Sequence, residues 1–199
     1  MMWSSIETPL HSAVQSGKLE DIELALQSGA THEECYGESA FHFAAKLGDV
    51  HILKLLLNHG FDIDKKDCYH TGNSPLHLSC RNSCAAAVDF FLSENVDVCV
   101  QNNFGETPFH LACEAGNLEI IHLLIDHHRS HGIGANIGVR NISGLTPLMY
   151  ACMDPQMQNG VLQLILENLL MLSSEPVNSV ELLQYAGKNF YCAQHSSTV

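Results

Sequence analysis

Short apolar stretches alternate with short polar ones along the chain, and the apolar residues recur at helical spacing. The clearest case runs from Gly105 to Asn117. Thr107 is a typical helix cap, Pro108 suits the first helical turn, and Gly116 ends the apolar stretch. A helix this short cannot bury enough surface to stand alone in water. The pattern therefore predicts a small unit that must pack against others.

The same four-residue motif, called the phrase below, occurs five times, starting at residues 8, 39, 74, 107 and 146. The copies read Thr8-Pro9-Leu10-His11, Ser39-Ala40-Phe41-His42, Ser74-Pro75-Leu76-His77, Thr107-Pro108-Phe109-His110 and Thr146-Pro147-Leu148-Met149. The base period is 33 residues, with small changes in loop length. Repetition at such a period predicts an array in which neighbouring units share one core.

A second apolar helix is predicted after each phrase. In the first unit it spans Leu19 to Gln27, and the residues expected to face inward are Leu19, Ile22, Leu24, Ala25 and Leu26. In the third unit Asn95 replaces the glycine that ends this helix, which is tolerable because asparagine accepts a left-handed conformation. The fourth unit has about six additional residues around His127 to Ile133, which we predict to be a solvated loop.

Five copies of the phrase make the chain resemble the ankyrin repeat family, whose signature is Thr-Pro-Leu-His-x-Ala. The resemblance implies repeats of two antiparallel helices and a β-hairpin finger, stacked into a curved solenoid. The predicted fold is an all-α dominated repeat solenoid of five repeats plus a C-terminal capping helix. The array would span residues 5–172, with repeats at about 7–37, 38–72, 73–105, 106–144 and 145–172, and residues 173–199 would form the capping helix and a flexible tail.

The charge balance argues against nucleic acid and membranes as partners. The chain carries 22 acidic and 9 basic residues, a net charge of −13, and its densest basic spot is Lys65-Lys66, flanked by Asp64 and Asp67. Binding to nucleic acid or an anionic membrane needs basic clusters. We therefore expect another protein as the partner, and a basic one is compatible with the charge.

Localisation is predicted from the ends and the cysteines. No secretory signal or membrane-spanning run is expected. Cys80, Cys113 and Cys152 occupy the same position in consecutive repeats, where a small buried side chain fits. We expect reduced thiols, a cytoplasmic protein (with the nucleus as an alternative) and a monomer.

Thirteen histidines invite a metal or catalytic interpretation. Four belong to the repeated phrase, and the resemblance implies that they tie each first helix to the neighbouring backbone. His127 and His131 lie four residues apart, on one face of a helix, but a structural zinc site needs four ligands. No nucleophile with its base, no paired carboxylates and no phosphate-binding glycine loop is recognisable. We predict no metal, no cofactor and no enzymatic activity.

The resemblance implies protein binding on the concave surface made by finger tips and first helices. The fingers are Glu33–Glu38, Asp64–Thr71, Val100–Phe104 and Val139–Ser143, here called fingers 1 to 4. Aromatic residues at their tips are expected either to anchor a partner or to pack on the next finger. The predicted partner-binding residues are Tyr36, Lys46, Tyr69, His70, Arg81, Asn82, Asn103, Phe104, Glu114 and Ile142, with Tyr69, Arg81, Asn82 and Phe104 at the centre.

Three functions are compatible with these features. The first is a non-enzymatic adaptor or scaffold. The second is an acidic regulator that sequesters a basic partner such as a transcription factor, and the third is a substrate adaptor of a ubiquitin ligase. The terminal residues Ser197, Thr198 and Val199 also resemble a ligand for PDZ domains.

Overall fold

The structure, a computed structural model, describes residues 8–30, 34–35, 37–68, 71–131 and 138–153. Five short helices begin at the repeated phrase, and we call them the first helices. They are α1 (Pro9–Ser16), α3 (Ala40–Leu47), α5 (Pro75–Arg81), α7 (Pro108–Ala115) and α9 (Pro147–Ala151).

Each first helix is capped by the serine or threonine that opens the phrase. In α3, α5 and α7 this cap is reciprocal. The cap side chain accepts from the backbone three residues on, and the histidine there accepts from the cap backbone N–H. This cap gives hydrogen-bond partners to two backbone N–H groups that have none within the helix, which explains why so short a helix starts at a fixed residue.

The helices α1, α3 and α7 each end at a left-handed glycine. Gly48 has a φ of +76°, and a Cβ added there would lie 2.9 Å from the Cβ of Cys84. In the third repeat Ser83 takes this place with a φ of +59°, and Asn95 ends the second helix with a φ of +57°. The prediction that asparagine replaces glycine at that end is confirmed.

The second helices are α2 (Leu19–Gln27), α4 (Val50–Asn58), α6 (Ala85–Ser93) and α8 (Leu118–His131). The predicted loop starting at His127 is wrong, because α8 continues to His131 and is 14 residues long. The stripe of buried residues continues through Ile121, Leu124 and Ile125 to His128, so the extra turn still has a face to bury.

The inward face predicted for α2 also needs correction. Ile22 and Ala25 are buried, but Leu24 is 66% exposed and Leu19 is exposed as well. Residues three or four apart share a helix face, and α2 buries the stripe through Ile22 and Ala25, with Leu26 half-buried beside it.

Stacking joins the repeats into one core. The first helices pack in the order α1, α3, α5, α7, α9, and the second helices in the order α4, α6, α8. Within a repeat, α1 packs on α2, α3 on α4, α5 on α6 and α7 on α8. A single cluster of buried residues extends from Leu10 to Ala151. The chain is thus a mostly helical repeat solenoid, in which each unit buries apolar surface against its neighbours.

The fingers are less regular than expected. Finger 1 contains a two-stranded antiparallel sheet of β1 (Glu34–Cys35) and β2 (Glu38–Ser39), in which Glu34 pairs with Ser39 and Cys35 with Glu38. Elsewhere in the described ranges the fingers are turns without assigned strands. The second helix of repeat 5, the capping helix and the terminal tail lie outside the described residues.

Candidate protein-binding surface

Three of the four repeated histidines, His11, His77 and His110, tie a first helix to the next finger. Nε2 of His11 lies 3.1 Å from the carbonyl oxygen of Glu38, and Nε2 of His77 lies 3.0 Å from that of Glu106. His110 makes the same contact with Leu145 at 3.2 Å. Because Nδ1 of His77 and His110 accepts from a cap N–H, the ring proton is on Nε2, which donates to the carbonyl.

Burial keeps the rings of His42, His77 and His110 neutral. It lowers the pKa of His77 to about 4, although the carbonyl of Glu106 opposes the shift. Burial likewise lowers the pKa values of His42 and His110, and the carbonyl of Asn73 is among the groups that oppose the shift at His42. The four histidines thus act in the fold, as the family resemblance implied.

One polar side chain closes each of fingers 2, 3 and 4. Asp67 accepts from the backbone N–H groups of Gly72 (2.9 Å) and Asn73 (3.0 Å). Asn102 and Asn141 each use Oδ1 to accept from the N–H groups two and four residues later, at 2.9 to 3.0 Å. The tips are therefore held by side-chain acceptors where strands are not assigned.

Backbone hydrogen bonds connect successive fingers. The N–H of Cys68 donates to the carbonyl of Gly37 (2.7 Å), that of Asn103 to Thr71 (2.8 Å), and that of Ile142 to Phe104 (2.9 Å). The tips form a row, in which Phe104 is 42% and Ile142 74% exposed. Whether these two residues anchor a partner stays a prediction. Of the other predicted tip residues, Tyr36, Tyr69 and His70 lie outside the described residues.

The first helices and the finger tips together form what we call the finger face, and its charges are partly paired. The ammonium of Lys46 lies 2.5 Å from a carboxylate oxygen of Glu38. Arg81 of α5 lies 3.8 Å from Glu114 of α7, and both side chains are about half exposed. The predicted contact residues Lys46, Arg81 and Glu114 are thus partly engaged within the molecule.

The amides predicted for this surface also have structural partners. Asn82 donates from Nδ2 to the carbonyl of Leu78 (2.8 Å), at the end of α5. The side chain of Asn103 lies against Gly72, where an added Cβ would be 2.4 Å from its Oδ1. Both remain exposed, so contact with a partner stays a prediction.

Sequence reasoning missed a polar cluster next to finger 3. The hydroxyl of Tyr150 donates to one carboxylate oxygen of Glu106, and Nδ2 of Asn102 donates to the other (2.8 Å). The Tyr150 hydroxyl also accepts from Nδ2 of Asn141 (3.0 Å). Burial and the Glu106 carboxylate raise the pKa of Tyr150 to about 12. Glu106 and Tyr150 are 44 residues apart, and no periodic signal in the sequence joins them.

The comparison with known families agrees with this geometry. The family model described as ankyrin repeats (3 copies) matches residues 10–102 and again residues 76–174. The chain belongs to the ankyrin repeat family. The predicted family and the mostly helical repeat solenoid are confirmed, while the count of five repeats and the capping helix stay predictions.

The relatives of this ankyrin repeat protein differ widely in length. It is 28% identical over 161 residues to the putative ankyrin repeat protein YahD of Escherichia coli K12, covering 78% of the chain and 77% of that relative. It is 26% identical over 162 residues to the human transient receptor potential cation channel subfamily A member 1, covering 79% of the chain but 14% of the channel. Against the chicken nuclear factor NF-kappa-B p105 subunit it is 31% identical over 149 residues, 73% of the chain and 15% of that protein.

Other groups with potential chemistry are explained by packing. The rings of His127 and His131 stack with their centroids 4.1 Å apart, and burial followed by the charges of His131 and His128 lowers the pKa of His127. Within the described ranges, no three histidine, cysteine or acidic side chains are grouped so that they could hold a metal ion. Burial raises the pKa values of the thiols of Cys80, Cys113 and Cys152. None of the described helices is long and apolar enough to cross a membrane.

Proposed function

We propose that this ankyrin repeat protein is a non-enzymatic adaptor or scaffold that binds another protein through its finger face. Ankyrin repeats are in general protein–protein interaction modules, and the family is generally non-catalytic. The observation that carries the proposal is the pair of exposed apolar side chains, Phe104 and Ile142, on consecutive finger tips joined by a backbone hydrogen bond. Rigidly held apolar side chains on a polar rim are typical of interface anchors.

The proposed contact area extends from these tips to the first helices. Arg81, Asn82 and Glu114 are exposed at the C-terminal ends of α5 and α7, and Asn103 is exposed on finger 3 against Gly72. Arg81 and Glu114 are only loosely paired at 3.8 Å, so both can turn toward a partner at little cost. Lys46 is held more closely by Glu38 and would contribute at the edge of the area.

The proposal is tested by capture of partners from a cell extract, followed by affinity measurement with the protein identified. We expect the double variant Phe104→Ser, Ile142→Ser to bind at least about tenfold more weakly than the wild type. Leu24→Ser is the matched control, because Leu24 is 66% exposed on α2, away from the fingers. Equal binding by the wild type and the double variant would exclude the finger tips as anchors.

A second candidate is an acidic regulator that sequesters a basic partner. The net charge of −13 favours this function, and the similarity to the NF-kappa-B p105 subunit is compatible with it. An electrostatic complex weakens strongly with salt, whereas an apolar one does not. A roughly tenfold or larger loss of affinity between about 0.05 and about 0.5 M salt would favour the regulator.

A further inference from the structure

The negative charge of Glu106 is held in place by neutral groups. Its two carboxylate oxygens accept from Tyr150 and Asn102, and its own backbone N–H and that of Phe104 both donate to Oδ1 of Asn102. The carboxylate is therefore fixed next to the exposed tip of finger 3. Two carboxylate oxygens offer about four acceptor positions, and these bonds use two of them.

The basic side chains of this region have other acceptors. Arg81 faces Glu114 at 3.8 Å, and Nη1 of Arg140 donates to the carbonyl of Gly144 (2.8 Å). Lys66 donates to the carbonyl of Gln101 (2.6 Å). Among the described residues, no lysine, arginine or histidine forms an ion pair with Glu106.

A second carboxylate extends the same negative area. Glu114 is among the charged groups that raise the pKa of Tyr150, so Glu106, Tyr150 and Glu114 lie within one electrostatic neighbourhood. Glu114 is half exposed and only loosely paired. The exposed Phe104 shares the Asn102 acceptor with Glu106, and the N–H of the exposed Ile142 donates to the Phe104 carbonyl.

From this arrangement we infer the chemistry of the partner at the finger face. The occupant is an extended protein segment in which a lysine or arginine bonds to Glu106, next to an apolar side chain that packs on Phe104 and Ile142. A fixed carboxylate favours such a contact because it loses little side-chain freedom on binding, and a charge-assisted bond is stronger than a neutral one. The inference rests on the proposed function and specifies which segment the finger face would select.

The test is a selection from a random peptide library displayed on phage, with the wild-type protein as bait. We expect the bound peptides to be enriched in a basic residue beside an apolar one. A synthetic peptide of the selected sequence should bind each of the variants Glu106→Gln and Phe104→Ala about tenfold more weakly than it binds the wild type. Glu94→Gln, at an exposed glutamate that follows α6, is the matched control and should bind as the wild type does.

The outcomes separate this inference from the proposed function. Peptides that depend on Phe104 and Ile142 but show no basic residue, or an unchanged affinity of Glu106→Gln, would overturn the inference and leave the adaptor proposal standing. Peptides that bind the double variant Phe104→Ser, Ile142→Ser as well as the wild type would overturn both. A selection that returns no binder contradicts recognition of a linear segment.

The variant Glu106→Gln could also act by disturbing the fold of finger 3. Tyr150→Phe is the second variant, since it removes one neutral donor and leaves the charge. We expect it to lower affinity about threefold, less than the loss of the charge itself. An equal or larger loss with Tyr150→Phe would assign the effect to positioning and overturn a direct contact between the partner's cation and Glu106.

Discussion

Glu38 and Glu106 occupy the same position in their repeats, immediately before the cap of a first helix, yet their side chains differ in role. Both backbone carbonyls accept from the histidine of the preceding repeat, His11 or His77. The carboxylate of Glu38 is neutralised by Lys46 at 2.5 Å. The carboxylate of Glu106 is held by the neutral donors Tyr150 and Asn102.

The comparison separates what the repeat requires from what it leaves open. The carbonyls of Glu38, Glu106 and Leu145 each accept from a histidine of the preceding repeat, although the side chain at this position differs. The side chain varies between repeats: Glu38 forms an ion pair with Lys46, whereas no cation of the described residues pairs with Glu106. We therefore expect partner choice to depend on side chains that the repeat itself does not specify.

The largest effect on stability is expected from removing a histidine that bonds to the backbone carbonyl at this position. His77→Ala removes a buried ring and its bonds to the cap of α5 and to the Glu106 carbonyl, and we expect a loss of about 3 kcal/mol in the free energy of unfolding. Urea denaturation measures it. His51→Ala, at an exposed position of α4, is the matched control and should cost below about 0.5 kcal/mol. Similar losses in both variants would contradict the structural role of His77.

The second effect is a pH dependence of stability from the same ring. The pKa of His77 is lowered from 6.5 to about 4, so between these values the unfolded chain binds a proton that the folded chain does not. The contribution of neutral His77 to the free energy of unfolding is therefore fully present above the ordinary pKa of 6.5 and is lost as the pH decreases. At pH 5 the contribution lost at His77 is about 2 kcal/mol, and His42 and His110 shift in the same direction.

Urea denaturation at about pH 7.5 and about pH 5 checks this, because most carboxylates stay ionised over that range. The wild type should lose about 2 kcal/mol more than His77→Ala does. Equal losses in the two proteins would mean that His77 titrates as it does in the unfolded chain.

The third effect concerns the support of Glu106. Asn102→Ala leaves the N–H groups of Phe104 and Glu106 without their acceptor and removes one donor to the carboxylate, so we expect a loss of about 1.5 kcal/mol. Thermal unfolding measures it. Gln101→Ala removes a single exposed bond to the Gly105 carbonyl and should cost below about 0.5 kcal/mol. A milder effect of Asn102→Ala than of Gln101→Ala would argue against Asn102 as the residue that closes finger 3.

The smallest effect on stability is expected at the ion pair between Lys46 and Glu38. Lys46→Gln breaks the ion pair with Glu38, but Lys46 is exposed enough for water to screen it, so the loss should be about 0.5 kcal/mol and should shrink in salt. Thermal unfolding at low and high salt measures this difference. A loss independent of salt would show that Lys46 stabilises by packing on the ring of Phe43, whose centroid lies 5.3 Å from its ammonium.

Much of the fold could be predicted because the residues of one repeat determine where its helices begin and end. The cap at Thr107, the proline at Pro108 and the stop at Gly116 each follow from backbone chemistry within one unit. Asn95 could be placed in a left-handed conformation for the same reason. The resemblance to the family then supplied the arrangement of the units, which no single repeat determines.

The predictions that were wrong concern burial that depends on neighbouring repeats. The segment at His127, predicted to be a loop, is a helix. His128 is buried there and its Nδ1 lies 2.5 Å from the Leu124 carbonyl. Burial of a histidine in a second helix cannot be predicted from its residue type. Leu24 is exposed, although its residue type predicts burial. The cluster of Glu106 with Tyr150 needs contact between residues of two repeats, and only the stacked structure brings them together.

The most direct test compares Glu106→Gln with Glu38→Gln by titration calorimetry, using the peptide selected by the wild-type protein. The two changes are chemically identical and fall at equivalent positions of the repeat. We predict that Glu106→Gln weakens binding about tenfold while Glu38→Gln changes it less than about twofold. Equal weakening by the two variants, or a larger loss with Glu38→Gln, would contradict the conclusion that the uncompensated charge of Glu106 specifies the partner.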